Sequence, residues 1–309
     1  MSESQRRHRA IGMAFLRSSE GVDPFYSEVI AGMEDVLHPQ GVQVLMQTVP
    51  TIDDALAAYR RWAELESVAG VVISDITVDD PRAALLTELG LPHVTLGEPV
   101  DAAGGAVVRV DNYTTTVRAV EELAALGHRR IGRVSGPQHL LHTQTRTVAF
   151  DDAIAAVGGT GSTAIGDYTA ASGAAGVIEL LELPEPPTAV IFDNDVMAVA
   201  GLDAVKARGL TVPDDLSILA WDDSTLCRLA TPLLSVMSHD VRELGSLAAA
   251  ALVSVIERGE PEDVTAPLSV FVARGSTAAP RGSNRDAVDP TPGAARLTRT
   301  EARQRERIL

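Results

Sequence analysis

The chain has 309 residues, 45% of them hydrophobic and 22% charged, which at ~100–200 residues per domain allows two domains with cores of their own. Lys and Arg number 26 against 42 Asp plus Glu, giving a formal charge of −16 and a pI of about 4.8, so most of the surface repels nucleic acid and only the two ends are basic. The single cysteine, Cys227, excludes an internal disulfide and a Cys-rich zinc site, and is read as a small buried apolar residue.

No apolar run is long enough to span a bilayer, and the basic N-terminus lacks the apolar core and cleavage site of a secretory signal; a cytoplasmic location is expected. Short β-branched runs then alternate with helical-period segments along nearly the whole chain. The first strand is expected at 11–16, followed by a helix with Phe25, Val29, Met33, Val36 and Leu37 on one face. Asp23 is placed to cap that helix, and Pro24 suits its first position, where a missing N–H costs nothing. Further strands are expected at 42–47, 70–74, 93–96, 107–110, 131–134, 189–192 and 217–220. Helices are expected near 52–67, 81–89, 112–126, 144–157, 171–182, 195–208 and 241–258.

Asp111 and Asp193 stand directly after strands, where a carboxylate can accept the orphan amides of the next helix. Gly41, Gly90, Gly127 and Gly209 each follow a helix, the position of a left-handed terminating residue. Such alternation means parallel sheets covered by helices on both faces, and the number of units calls for two of them. From about 280 to 309 the chain is rich in Pro, Gly, Ser and Arg, and a disordered basic tail is expected there.

Catalytic motifs are missing: there is no G-x-S-x-G, no G-x-x-x-x-G-K-[ST] and no H-E-x-x-H. Gly158, Gly159 and Gly161 lack the Lys–Ser/Thr of a phosphate loop and read as a helix–strand turn, while His139 and His142 have no third metal ligand nearby in sequence. Nothing demands an enzyme, and no cofactor is expected. Polar residues do cluster after the strands: the segment 18–26, Asp75, Glu98, the segment 139–146, Asp167, Tyr168, the segment 193–195, Asp222 and Asp223. Ligands of open α/β sheets bind beyond the carboxyl ends of strands. Each segment alone reads first as a helix cap or turn. Together they suit a polyhydroxylated ligand, with carboxylates and a guanidinium on its hydroxyls and rings such as Phe25 and Tyr168 on its C–H face.

In chain order, residues 11–279 contain IGMAFLRSSEGVDPFYSEVIAGMED, VAGVVIS, VDNYTTTVRAVEELAALGHRRIGRVSGP, TRTVAFDDAI, GDYTAASG, FDNDVMAVAGLDAVKARGLTVPDDLSILAWDDS, TPLLSV and VFVARGSTAAP. This series resembles the effector-binding core of the LacI/GalR family of bacterial transcriptional regulators. The resemblance implies a type-I periplasmic-binding-protein-like α/β fold, two doubly wound parallel-sheet subdomains joined by three crossovers. It implies an N-terminal subdomain of 11–137 plus 240–265 and a C-terminal one of 138–238 plus 268–279, with crossovers near 136–141, 237–240 and 266–268. Residues 1–10 then read as a basic linker remnant.

The resemblance also implies a small sugar-like effector between the subdomains and a homodimer. Matched residue by residue, Arg146 grips ligand hydroxyls or carboxylates, Tyr168 stacks on the ligand, and Asn194 and Asp222 make polar contacts. Phe25 and Tyr26 line the N-terminal wall, and Asp75 and Trp221 complete the candidate set. Asn194 reads equally as the cap of the helix that follows it. Trp221 replaces a smaller aromatic, Ala220 a glycine, and Glu98 adds a carboxylate, so the ligand's identity does not carry over. Family regulators begin with a helix-turn-helix domain, and no T-x-x-x-V-A-x-x-A unit occurs here. Operator binding is therefore expected only with such a domain, absent from this sequence. The alternative reading is a solute-binding protein of a sugar transporter, disfavoured by the lack of a signal peptide or lipobox cysteine.

Overall fold

The computed structural model describes residues 10–16, 24–98 and 103–281. The expected linker remnant and basic tail lie outside them except for Ala10, Pro280 and Arg281, as does the Asp23 cap. The chain opens with β1 (Ala10–Leu16), α1 (Pro24–Leu37), β2 (Gln43–Val49), α2 (Ile52–Glu64), β3 (Val71–Ile73), α3 (Arg82–Glu88), β4 (His93–Gly97) and β5 (Ala106–Arg109). It continues through α4 (Asn112–Ala125), β6 (Arg130–Ser135), α5 (Leu141–Ala156), β7 (Thr160–Ile165), α6 (Ala170–Leu181), β8 (Ala189–Phe192), α7 (Asp195–Ala207) and β9 (Ser217–Trp221). Last come α8 (Thr225–Leu229), β10 (Ser235–Ser238), α9 (Val241–Arg258), β11 (Val264–Thr265) and β12 (Val270–Val272).

The strands form two six-stranded sheets, β11-β5-β4-β3-β1-β2 and β12-β10-β9-β8-β6-β7. Every neighbouring pair is parallel except β10 with β12. Each sheet is buried on both faces. Ile11, Met13 and Val72 pack under α1 and α9 on one side of the first sheet, while Ala14, Val71 and Ile73 pack under α2 and α3 on the other. The second sheet is sandwiched likewise, with Val134 and Phe192 toward α6 and α7, and Ile131 and Ile191 toward α4 and α5.

The first change of sheet comes earlier in the chain than the expected 136–141. β6 lies inside the second sheet between β7 and β8, and α4 packs on α5, with Ala119, Val120 and Leu123 in one core with Phe150. The crossover is therefore at 110–111, and 112–137 belongs to the second lobe rather than the first. The chain returns to the first lobe between β10 and α9, and crosses again between β11 and β12.

Capping follows the sequence at Asp111, whose carboxylate accepts from Thr114 N at 2.8 Å. It does not at Asp193: α7 is capped by Asn194, whose Oδ1 accepts from Met197 N at 2.9 Å, and Asp193 is occupied elsewhere. Helices α1 and α9 cross in near backbone contact. A Cβ on Gly32 would lie 1.8 Å from Arg242 O and one on Gly245 1.9 Å from Val29 O, so both positions require glycine. That crossing sets the start of α1, with Phe25 and Tyr26, against the crossover at His239 and Asp240.

Candidate functional site

Both sheets reverse their strand order at one point, β1 between β2 and β3, β6 between β7 and β8. Residues beyond the carboxyl ends at these two points line one shared cavity of about 110 Å³ between the lobes.

On the first lobe, Tyr26 stacks on Phe15 at 4.6 Å, with Phe25 edge-on to it at 5.5 Å. The Tyr26 hydroxyl donates to the Asp75 carboxylate and accepts from Ser74 Oγ at 3.3 Å. Arg82, buried and ion-paired with Asp80 at 2.6 Å, donates Nη2 to the Asp75 carbonyl at 2.8 Å. The loop after β3 is thus anchored by a guanidinium, and the Asp75 side chain is left at the cavity wall.

The second-lobe wall is built on charge. Arg133 of β6 and Asp193 after β8 form a pair in which each side chain is 1% exposed, with Nε to Oδ1 at 2.8 Å and Nη2 to Oδ2 at 2.6 Å. Asp193 also accepts from Gly136 N at 3.1 Å, and Arg133 donates to Thr147 Oγ1 of α5 at 2.8 Å, so the pair ties two strands to a helix. The neighbouring guanidiniums hold Asp193 below the usual carboxylate range despite full burial. Arg146 lies with Cζ 4.0 Å over the Trp221 ring, donating Nε to Asn112 Oδ1 at 2.9 Å and Nη1 to Asp193 O at 3.0 Å. Its Nη2 has no acceptor among the described residues.

Tyr168 and His142 complete this wall, Oη to Nε2 at 2.7 Å. Burial above all, then Arg146, pushes the His142 imidazole down to about 4, and burial raises the Tyr168 phenol. Both are neutral at pH 7. A Cβ on Gly136 would lie 2.3 Å from the Tyr168 ring, so glycine is what lets the phenol lie across the end of β6. At the crossover, His239, also held near 4 by burial, places Nε2 3.3 Å from Asp222 Oδ1.

The lobes touch across the cavity. Glu98, beyond β4, accepts from Asn112 Nδ2 at 2.7 Å, and burial raises its carboxyl above the ordinary range. Leu141 N at the start of α5 donates to Ile76 O at 2.8 Å, beside a bridge between Thr77 and Leu140.

Asp75 (φ 51°), Tyr168 (φ 70°) and Asp222 (φ 69°) are three of the six non-glycine residues with positive φ among the described residues. Each stands just beyond a strand at the cavity, and each backbone is clamped: Asp75 O by Arg82, Tyr168 O by Asn194 Nδ2 at 3.2 Å, Asp222 N to Met237 O at 3.2 Å. Left-handed backbone held by buried hydrogen-bond partners is strain kept at a site.

Of the candidate residues, Phe25, Tyr26, Asp75, Arg146, Tyr168, Asn194 and Asp222 line the cavity. Trp221 does not; it is 2% exposed and forms the platform under Arg146. Asn194 has both ends of its amide engaged, as the α7 cap and as the clamp on Tyr168. Sequence reasoning missed Ser74, Asn112 and His239 as wall residues, and reached His142 only as part of the segment 139–146. Their one signal is position: Ser74 directly follows β3 and His142 lies at the start of α5, while Asn112 and His239 lie at the changes of lobe. Cys227 is fully buried with Sγ 3.7 Å from Asp222 O, and burial pushes its thiol up to about 12.

Among the described residues, no helix is long and apolar enough to cross a membrane. Residues 120–277 match the family profile of periplasmic binding protein-like domains. The chain is 30% identical over 248 residues to the transcriptional regulator CelR of Thermobifida fusca, covering 77% of this chain and 72% of CelR. Its fold is similar to a LacI family transcriptional regulator of Bifidobacterium animalis subsp. lactis, with TM-score 0.81, 30% identity, and 88% of this chain and 98% of that one covered. It is also similar to the structure of a transcriptional regulator CelR–cellobiose complex, with TM-score 0.79, 27% identity, and 87% and 84% covered. These relatives are regulators rather than enzymes, and the two-sheet architecture is theirs. The chain belongs to the LacI family of transcriptional regulators, with the described residues forming its periplasmic-binding-protein-like core.

Proposed function

We propose that this core senses a small hydroxyl-rich effector, a sugar or sugar derivative, in the cavity between its lobes and couples their closure to operator binding. In this reading a homodimer in the cytoplasm carries the signal to a DNA-binding segment. The observation that carries the proposal is the convergence of Asp75 from one lobe with Arg146, Tyr168 and Asp222 from the other on one cavity. Carboxylates accept from hydroxyls, Arg146 Nη2 supplies a donor, and the rings of Phe25 and Tyr168 cover a sugar's C–H face. The cellobiose complex of a relative supports the same ligand class.

A ligand touching both walls binds the closed arrangement better than the open one and shifts the population toward it. Coupling of this kind is worth ~1–3 kcal/mol. The test is a thermal-shift screen of sugars, sugar phosphates and nucleobases. A ligand at a hundredfold excess over Kd stabilises by ~2.7 kcal/mol. The proposal expects sugars to raise Tm, and fails if only nucleobases do.

A further inference from the structure

A buried carboxylate reaches across the first change of lobe. β4 and β5 lie side by side, and Glu98 follows β4 just where the chain leaves β5 for the second lobe at 110–111. Glu98 thus stands beside the hinge but belongs to the first lobe, and it is 9% exposed. Its Oε1 accepts at 2.7 Å from Nδ2 of Asn112, the first residue of α4. Asn112 is itself buried, and its Oδ1 accepts from Arg146 Nε at 2.9 Å. One amide therefore joins a first-lobe carboxylate to the second-lobe guanidinium. Asn112 and Arg146 line the cavity, and Glu98 does not.

Only one orientation of that amide satisfies both neighbours. A guanidinium has donors alone and an ionised carboxylate acceptors alone, so the amide oxygen must face Arg146 and the amide nitrogen Glu98. Within its own lobe Arg146 is held loosely by charge. Its contact with the Asp193 carboxylate is long, at 3.9 Å, and that carboxylate is bound by Arg133 at 2.6 and 2.8 Å. Burial and, less strongly, Asp111 raise the Glu98 carboxyl, whereas Asn112, Thr145 and Arg146 of the second lobe draw it down. A rotation at 110–111 that moves Glu98 by about 1 Å takes the contact past hydrogen-bond range and frees the amide to turn.

We infer that Glu98 is a positioning residue for the effector site: from the opposite lobe it fixes the Asn112 amide, and through that amide the Arg146 guanidinium. Arg146 is then set for the effector only while the lobes meet at Glu98. This rests on the proposed sugar-sensing role and names how the site is tied to the lobe angle. Effector binding and lobe contact favour each other reciprocally, as two events that share one equilibrium must.

The test exchanges the two partners. Asn112→Asp sets carboxylate against carboxylate, Glu98→Leu removes the acceptor, and Glu98→Gln keeps one. Asn112→Asp combined with Glu98→Gln restores a donor–acceptor pair with its direction reversed, and differs from Asn112→Asp alone only at position 98. Affinities for glucose, galactose, ribose and cellobiose are measured by titration calorimetry at pH 8, above the carboxylate range. Spin labels at Glu88→Cys of α3 and Asp151→Cys of α5, both exposed, report the distance between the lobes, while Cys227 is buried and stays unlabelled. Asn112→Asp and Glu98→Leu should each weaken sugar binding at least fivefold and lengthen or broaden the label distance without sugar. Glu98→Gln and the exchanged pair should bind within threefold of wild type and keep its label distance. A smaller loss in either of the first two, Glu98→Gln or the exchanged pair outside threefold, or label distances that do not change overturns the inference. So does an affinity loss that merely follows Tm from variant to variant, the mark of a structural role. If none of the four sugars binds wild type, the sugar-sensing reading falls and this inference with it. If wild type binds one of them and every variant binds it equally, the inference alone falls.

Discussion

The two walls of the cavity are built differently. The first-lobe wall is an aromatic stack, Phe15 on Tyr26 with Phe25 across the edge, whose hydroxyl meets Asp75 and Ser74. The second-lobe wall is a buried charge lattice in which Arg133, Asp193 and Arg146 join β6, β8, α4 and α5. An aromatic stack tolerates sliding, whereas a buried ion pair with every donor placed does not. The difference teaches that the second lobe meets the cavity with fixed charge, while the first lobe keeps its buried pair, Arg82–Asp80, behind the loop that carries Asp75. The first lobe meets it through Glu98–Asn112 and Ile76–Leu141.

The largest expected effect of breaking that contrast is at the lattice. Arg133→Ala or Asp193→Ala leaves a buried charge alone and should cost ~3–5 kcal/mol in urea unfolding. Loss of less than about 1 kcal/mol, the range of a surface pair, would erase the distinction between the walls. The acid limb comes next. His142 and His239 are held near 4 in the fold against about 6.5 when unfolded, so between those values the unfolded chain binds more protons. Stability that is full above pH 6.5 is therefore lost as pH falls toward 4, and the loss should shrink in His142→Gln, measured as Tm against pH.

Gly136→Ala drives a methyl into the Tyr168 ring and should cost ~1–3 kcal/mol of overpacking strain while abolishing sugar-induced stabilisation. Retention of the full ligand shift would show that Tyr168 does not face the ligand. The smallest change is on the other wall. Tyr26→Phe keeps the stack and removes one hydroxyl, for ~0.5–1.5 kcal/mol. A cost equal to that of Asp193→Ala would mean the first lobe is as tightly built as the second.

Much of the fold was readable from strand–helix alternation, because buried parallel strands are short apolar runs and their helices carry one apolar face. What alternation cannot tell is which sheet a strand joins. The crossover at 110–111 has no glycine or proline and no extra length, while SGPQHLL after β6 looks like a connection, and so the first boundary was placed one strand–helix unit late. β7 (TGSTAI) escaped because it is an edge strand, largely exposed and with a glycine inside. Most of the cavity-lining candidates came from their place after strands. Asn112 and His239 were missed because their roles depend on partners 34 and 17 residues away, Arg146 and Asp222, which proximity in sequence does not reveal.

The central claim is that one ligand bridges both walls. It is tested most directly by the affinity of the best sugar from the screen for wild type, Asp75→Asn and Asp222→Asn, since asparagine tolerates the left-handed backbone at both positions. The account predicts that each substitution, one per lobe, weakens binding at least tenfold. Full affinity retained by either variant would contradict it.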